Sequence, residues 1–388
     1  MKYELASSTW DELEIEAINR VIKSGRYTMG EEVAKFEREF AEFFGSKYAV
    51  MVNSGSSANL LAIAALEFRS KNNLQKGMDI IVPAVSWATT YYPVVQCGYN
   101  LKFVDIEKET LNISISEVEK AIDKNTAAIF TVNLLGQPSD LISLRDLADS
   151  RGVLLIEDNC ESMGAKVNDK YAGTFGIAGT FSTFFSHHIS TMEGGVIVTD
   201  DDELRDIYLS LRAHGWTREL EAVNYVHNKS GYKWDDLYRF VLPGYNLRPI
   251  EMSGAIGQEQ LKKLPDFIKM RQKNHGFFKE IFSEISGIRI QEGIGESSAF
   301  GFSLILNENS RISRDELVKK LLENGVETRP IVAGNFLKQP VISRLGLNQT
   351  NKCPNADFVH SNGFFIGNHH YDIASQLEKT KDLIVSLL

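Results

Sequence analysis

Cysteine is scarce: the 388 residues hold three, Cys97, Cys160 and Cys353, odd in number and far apart. That excludes a disulfide framework. No C-x-x-C or Cys/His ligand spacing occurs, and three thiols fall short of the four that hold the usual iron–sulfur cluster, so neither metal nor cluster is expected. No apolar run approaches the ~18 residues of a membrane span. Positive charge is in deficit, 42 Lys and Arg against 51 Asp and Glu for a net −9, which argues against nucleic acid as a partner. The early residues are acidic (Glu4, Asp11, Glu12, Glu14, Glu16), the reverse of a basic, then apolar secretory leader, so a cytoplasmic protein is expected. There is no G-x-S-x-G elbow, Walker A loop or G-x-G-x-x-G fingerprint. A final absence is local: between Lys170 and Lys229 there is no lysine.

What is present is an ordinary globular composition, 43% hydrophobic and 24% charged, with enough length for a large domain and a smaller one. Short apolar runs alternate with amphipathic stretches. The pattern predicts strands over Tyr48–Val52, Asp79–Pro83, Lys102–Asp105, Ala127–Val132, Val153–Asp158, Gly179–Phe184 and Gly195–Thr199, with helices such as Ser57–Phe68, Ser116–Ile122 and Leu141–Ser150 between them. Such alternation means an α/β fold with a mostly parallel sheet. Ligands of these sheets gather at the carboxyl ends of the strands. The segment Pro243-Gly244-Tyr245-Asn246-Leu247-Arg248-Pro249 breaks the pattern. It divides a large domain, 1–250, from a small C-terminal α+β domain, 251–388, that opens with a helix over Glu251–Arg271 and carries a strand over Gly301–Leu306 and a helix over Ser313–Asn324.

Several residues fall where a ligand would sit. Asn53-Ser54-Gly55-Ser56-Ser57 follows a strand and opens a helix; backbone N–H groups and the helix dipole favour an anion there, and the hydroxyls of Ser56 and Ser57 add donors. The plain alternative is a helix cap behind a glycine turn. Asp158 ends a strongly apolar strand, where a buried carboxylate wants a cation. Glu161 follows it closely, and Trp87 lies four residues past Pro83; the plain alternatives are a solvated loop carboxylate and a core aromatic. Two adjacent histidines, His187 and His188, sit in a turn after Ser182. Imidazole can take and return a proton near neutrality; alone, the pair would be read as a loop feature.

Taken together, Ser182, the His187 turn and the strand ending Glu157-Asp158 resemble the nucleotide-sugar aminotransferase branch of the fold-type I pyridoxal-phosphate (PLP) enzymes. Its pattern runs roughly S-F-x-x-x-K-N-x-x-x-x-E-G-G, and here the lysine slot holds His187. The likeness extends along nearly the whole chain and is closest to the sugar 3-dehydratases of that branch, through A-S-S-T-W (6–10), F-G-S-K-Y-A-V-M-V (44–52), V-P-A-V-S-W (82–87), E-D-N-C-E-S-M-G-A (157–165), S-H-H-I-S-T-M-E-G-G (186–195), R-A-H-G-W-T-R (212–218) and V-L-P-G-Y-N (241–246).

The resemblance implies an aspartate-aminotransferase-like fold and a homodimer with shared active sites. PLP is held by Gly55, Ser56, Ser57 and Ser182 at its phosphate, by Trp87 on its ring, by Asp158 at the ring nitrogen and by Glu161 near the ring hydroxyl. Asn246 comes from the neighbouring subunit, and His214, Arg218, Arg248 and Arg329 are candidates for the sugar nucleotide. It further implies that glutamate converts PLP to the amine form (PMP), which serves in removing the C3 hydroxyl of a nucleotide-linked 4-keto-6-deoxy sugar. GDP-4-keto-6-deoxymannose, on the route to GDP-colitose for lipopolysaccharide O-antigen, is the substrate it points to, with His187 as general base. Two other readings share the residues: a sugar aminotransferase working without its lysine, and an inactive PLP- or sugar-binding protein.

Overall fold

A computed structural model describes residues 2–71, 74–347 and 352–388. Seven strands form the main sheet: β1 (Tyr48–Val52), β2 (Asp79–Pro83), β3 (Asn100–Val104), β4 (Thr126–Val132), β5 (Leu154–Asp158), β8 (Ala178–Ser182) and β9 (Gly195–Thr199); β6 (Lys166–Val167) and β7 (Lys170–Tyr171) make a small separate hairpin. The order is β1-β9-β8-β5-β4-β2-β3. Each strand's alternate residues enter different cores, as a two-residue period requires. Val50, Val52, Ile80, Val82, Phe130 and Ile156 pack in one cluster, whereas Met51 and Val198 belong to a second and Ile81, Ile129 and Leu155 to a third. Apolar residues on both faces are what a sheet covered by helices on both sides demands.

The helices that cover it begin with α1 (Glu12–Ser24), α2 (Glu31–Phe44), α3 (Gly55–Ala64), α4 (Ala88–Gln96), α5 (Ile115–Ala121), α6 (Leu141–Arg151) and α7 (Asp202–Arg212). In α2, Val33, Phe36, Phe40 and Phe44 recur at three- and four-residue spacing and are buried. Phe40 and Phe44 meet Phe181 of β8 at ring separations of 5.2 and 4.8 Å. This aromatic stripe packs directly beneath the strand that leads into the His187 turn.

β2, β3, β4, β5 and β8 run parallel to one another, but β9 is antiparallel to both β8 and β1. The reason is local. Only residues 183–194 separate β8 from β9, and they hold no helix that could carry a crossover, so the chain folds straight back. The sheet is therefore mixed at this edge, and the short connection is the one carrying His187.

A four-residue helix, α8 (Lys233–Asp236), precedes α9 (Glu251–Phe282), which runs beyond the expected Arg271. Leu261 and Leu264 in its first half pack with Phe36 and Phe40; Phe278 and Phe282 in its second half pack with a four-stranded antiparallel sheet. That sheet, in the order β10-β11-β13-β12, is formed by β10 (Ile288–Ile290), β11 (Gly301–Leu306), β12 (Thr328–Arg329) and β13 (Gly363–Gly367). Tyr3, near the start of the chain, joins it by a bridge to Val326. Among the described residues no helix is long and apolar enough to cross a membrane, and no cluster of His, Cys, Asp and Glu could hold a metal.

Candidate active site

A cavity of about 430 Å³ opens at the carboxyl ends of β4, β5 and β8. Gly55, Ser56, Trp87, Asp158, Glu161, Ser182, His187 and Arg329 all line it, so one recess gathers residues spread over most of the sequence.

Asp158 is buried and held from three sides. Asn59 Nδ2 donates to its Oδ2 at 2.7 Å, Thr90 Oγ1 donates to the same oxygen at 2.8 Å, and the Cys160 amide donates to Oδ1 at 3.2 Å. Its neighbour Glu157 faces the other way, as strand alternation dictates, and accepts the amides of Gly173, Phe175 and Gly176 at 2.6–2.8 Å. The acidic pair thus divides its work: Glu157 ties a loop to the sheet and Asp158 presents an oriented carboxylate to the cavity.

The first turn of α3 forms another wall. Ser54 caps it by accepting from the Ser57 amide, while Ser56 bonds Thr89. The two glycines flanking the helix start are sterically required. A Cβ on Gly55 would stand 2.6 Å from Ser182 Cβ, and one on Gly195 would stand 2.3 Å from the Ser54 oxygen. A helix N-terminus pressed against small residues is a cradle for an anion such as phosphate. Ser57 does not line the cavity; its hydroxyl donates to Asn53 Oδ1 at 2.6 Å.

His187 sits opposite. Its Nδ1 lies 2.8 Å from the carbonyl oxygen of Cys160. A carbonyl oxygen only accepts, so Nδ1 carries the proton and Nε2 keeps its lone pair. Phe300 flanks the ring at 5.2 Å. Burial pushes this imidazole down to about 4, only partly opposed by the bond to Cys160, so it is neutral at pH 7 and able to take a proton. His188 points elsewhere: fully buried, its Nε2 meets the Ser298 carbonyl at 3.0 Å.

Glu161 Oε2 accepts the Leu135 amide at 3.1 Å. Desolvation pushes its carboxyl up to about 7, so near neutrality it can share a proton with a ligand. Trp87 is 58% exposed, an uncovered aromatic face at the cavity rim.

The remaining candidates lie apart. Asn246, Arg248 and Arg218 line a second cavity of about 640 Å³ together with Trp216, Glu37 and Arg212. There Arg218 stacks over Trp216 at 4.2 Å, and Arg248 Nε donates to Asn246 Oδ1 at 3.0 Å. His214, in the left-handed region, leans edge-on against Trp216. Within one chain none of these four reaches the recess around His187. Asn59, Thr90, Glu193, Phe300 and Phe365 were not singled out from sequence, although all but Thr90 line the cavity and Thr90 touches Asp158. The nearest available signal was Asn59, one helical turn after Gly55.

An oriented, buried aspartate, a helix-start anion cradle, an aromatic face and a reactive side chain in the β8–β9 turn define a fold-type I PLP site. Residues 8–376 match the DegT/DnrJ/EryC1/StrS aminotransferase family, and the chain belongs to it. It is 53% identical over 386 residues to a GDP-4-keto-6-deoxy-D-mannose 3-dehydratase of Yersinia pseudotuberculosis, covering 99% of this chain and 98% of that one. It also superposes on a crystal structure of GDP-4-keto-6-deoxymannose-3-dehydratase with a trapped PLP-glutamate geminal diamine, with TM-score 0.96, 51% identity and coverage of 99% and 100%. A second similar structure, of ColD carrying lysine for a histidine and asparagine for the serine before it, has TM-score 0.95 and 52% identity, and covers 97% of this chain and all of that one. In the present sequence Ser-His occurs once, at Ser186-His187.

Proposed function

We propose that this chain is a PLP- and glutamate-dependent 3-dehydratase that removes the C3 hydroxyl of GDP-4-keto-6-deoxy-D-mannose to give the 3,6-dideoxy 4-keto sugar. The observation that carries the reading is His187: the slot that holds lysine in an aminotransferase is filled by an imidazole whose Nδ1–H is committed to the Cys160 carbonyl, leaving Nε2 as a base. The relatives named above support the substrate and the cofactor.

The residues fit the cofactor. Asp158, buried among three donors, would hold the ring nitrogen protonated; the start of α3, with Gly55, Ser56 and Ser182, would hold the phosphate; Trp87 would cover the ring and Glu161 its hydroxyl side. When bound, PLP supplies an electron sink and, after glutamate has donated its amino group, an amine to attach the sugar ketone. His187 then acts in the chain's own part of the chemistry. Its neutral Nε2 takes a proton next to the cofactor ring and returns one to the departing C3 oxygen. Lacking an ε-amino group, the site cannot tether the cofactor and close an ordinary transamination cycle. Ammonia is lost when the released enamine hydrolyses.

Asn246, Arg248, Arg218 and His214 complete a site in this reading when they come from a second copy of the chain, so the working unit is a homodimer. The cytoplasm, where glutamate is plentiful, is the proposed location. The test supplies PLP, glutamate and GDP-4-keto-6-deoxymannose. Ammonia, 2-oxoglutarate and loss of the C3 oxygen are expected. An amino sugar as product would make the protein an aminotransferase, and no turnover would make it a binding protein.

A further inference from the structure

The turn that carries His187 is unevenly anchored. On its leading side Phe184 and Phe185 are 42% and 45% exposed, and the His187 amide bonds only back to Phe184. On its trailing side Ser190 is buried and both of its backbone groups are taken by side chains remote in sequence. Trp10 Nε1 donates to the Ser190 carbonyl at 2.9 Å, and the Ser190 amide donates to Gln260 Oε1 at 2.9 Å.

Gln260 is itself fully committed. Its Oε1 also accepts from Thr9 Oγ1 at 2.6 Å, while its Nε2 donates to the Thr9 carbonyl at 3.0 Å and to Glu14 Oε1 at 2.8 Å. A buried amide with both lone-pair sites and both N–H groups used has one orientation. The segment bearing Thr9 and Trp10 is pinned in turn to the small sheet. Tyr3 bridges Val326, His369 Nε2 donates to the Glu4 carbonyl at 2.9 Å, and Ser7 Oγ meets His369 Nδ1 at 2.8 Å. Between these anchors Leu5 and Ala6 line the active-site cavity.

We infer that Trp10 and Gln260 are positioning residues for His187. They clamp Ser190 from both sides and so fix the height at which Nε2 stands over the cavity, linking that height to the N-terminal strap. The inference rests on the proposed role of His187. A base must lie within hydrogen-bond reach of the proton it moves, and a small misplacement of a reacting group costs up to about a hundredfold in rate.

The experiment uses Trp10→Phe, which keeps the ring and deletes one donor, in the full-length protein loaded with PLP. Two readouts are taken: the imidazole 15N shifts of His187, assigned by their absence in His187→Asn, and dehydration with kcat separated from KM. The parent is expected to show His187 as the single Nδ1–H form. In Trp10→Phe the resonance should move toward a mixture of forms and kcat should fall at least about tenfold, with KM for the sugar within about twofold of the parent. Unchanged imidazole shifts with kcat within about twofold would overturn the inference. So would a loss of rate matched by an equal loss of bound PLP and of melting temperature, which would make the indole a packing element only. Gln260→Met, which removes the other half of the clamp, is expected to shift the same imidazole resonance, and a parent-like spectrum there also counts against it. Should the parent itself fail to dehydrate the sugar, the functional reading falls, while the imidazole spectra still decide whether the indole holds His187.

Discussion

His187 Nδ1 and the Cys160 carbonyl oxygen stand 2.8 Å apart, which joins the β8–β9 turn to the loop that follows Asp158. The bond selects the tautomer, and the tautomer leaves Nε2 basic. Replacing His187 with Asn should lower dehydration about 10²–10⁴-fold, the usual worth of a general base, with PLP still bound. The H187K variant should hold PLP covalently, trapped by borohydride and seen by mass. Dehydration at parental rates in His187→Asn would remove the imidazole from the mechanism.

Glu161 predicts a pH dependence of the cofactor-free protein. Its ordinary value of 4.5 rises to about 7 in the fold because desolvation disfavours the carboxylate. The folded state therefore binds this proton more tightly than the unfolded chain. Its contribution is fully present below about 4.5, declines as the pH rises and is gone above about 7, a difference of roughly 3 kcal/mol. Glu161→Gln should flatten that part of the profile and be the more stable protein at pH 8. Urea denaturation between pH 5 and pH 8, with the two curves parallel throughout, would contradict this.

Arg212 tests the second cavity. Fully buried, it donates from Nη1 to Glu37 at 2.5 Å and from Nη2 to Glu219 at 2.6 Å. Burial pushes Glu37 upward and the guanidinium pulls it back. Removing the shared cation strands two carboxylates, so Arg212→Met should cost about 3–5 kcal/mol. Adding Glu37→Gln should recover part of that loss, since one stranded charge disappears. Denaturation curves of the two variants decide it; a further loss in the double variant would mean the carboxylates do not depend on Arg212.

The proposed sharing of sites between two copies of the chain predicts complementation. His187→Asn and Asn246→Ala are each expected to be nearly inactive as pure preparations. After unfolding and refolding together, half the dimers should be hybrids with one intact site each, restoring activity to about a quarter of the sites. No recovery on mixing would place both residues in the same chain's site or show the protein to act alone.

Much of this architecture was legible in sequence because fully buried strands advertise themselves. β1, β2, β9 and β11 lie where alternation and apolar runs predict them, and Asp158 was marked by being the charge that ends such a run. The predicted strand to Phe184 stops at Ser182, because the chain must already be turning toward β9. The expected end of α9 at Arg271 fails for another reason. The second half of the helix buries Phe278 and Phe282 against the small sheet, a tertiary contact with no local signature. Thr90 and Asn59 escaped notice for the same cause: a polar residue on a helix reads as surface until the fold brings Asp158 against it. The clamp on Ser190 joins positions 10, 190 and 260, and no window of sequence contains all three.

The cavity takes Ser56, Asp158 and His187 from around the large sheet and Arg329 and Phe365 from the small one, and a single helix, α9, is packed into both cores. At 32 residues it is about 48 Å long, a beam and not a linker. Its interior carries Pro265, where the ring deletes an amide donor and crowds the preceding turn. The two walls of the recess are thus joined twice, by this helix and by Ile305 of β11, which packs in one cluster with Val82 and Ile156 of the large sheet, so the site is cut into one continuous core.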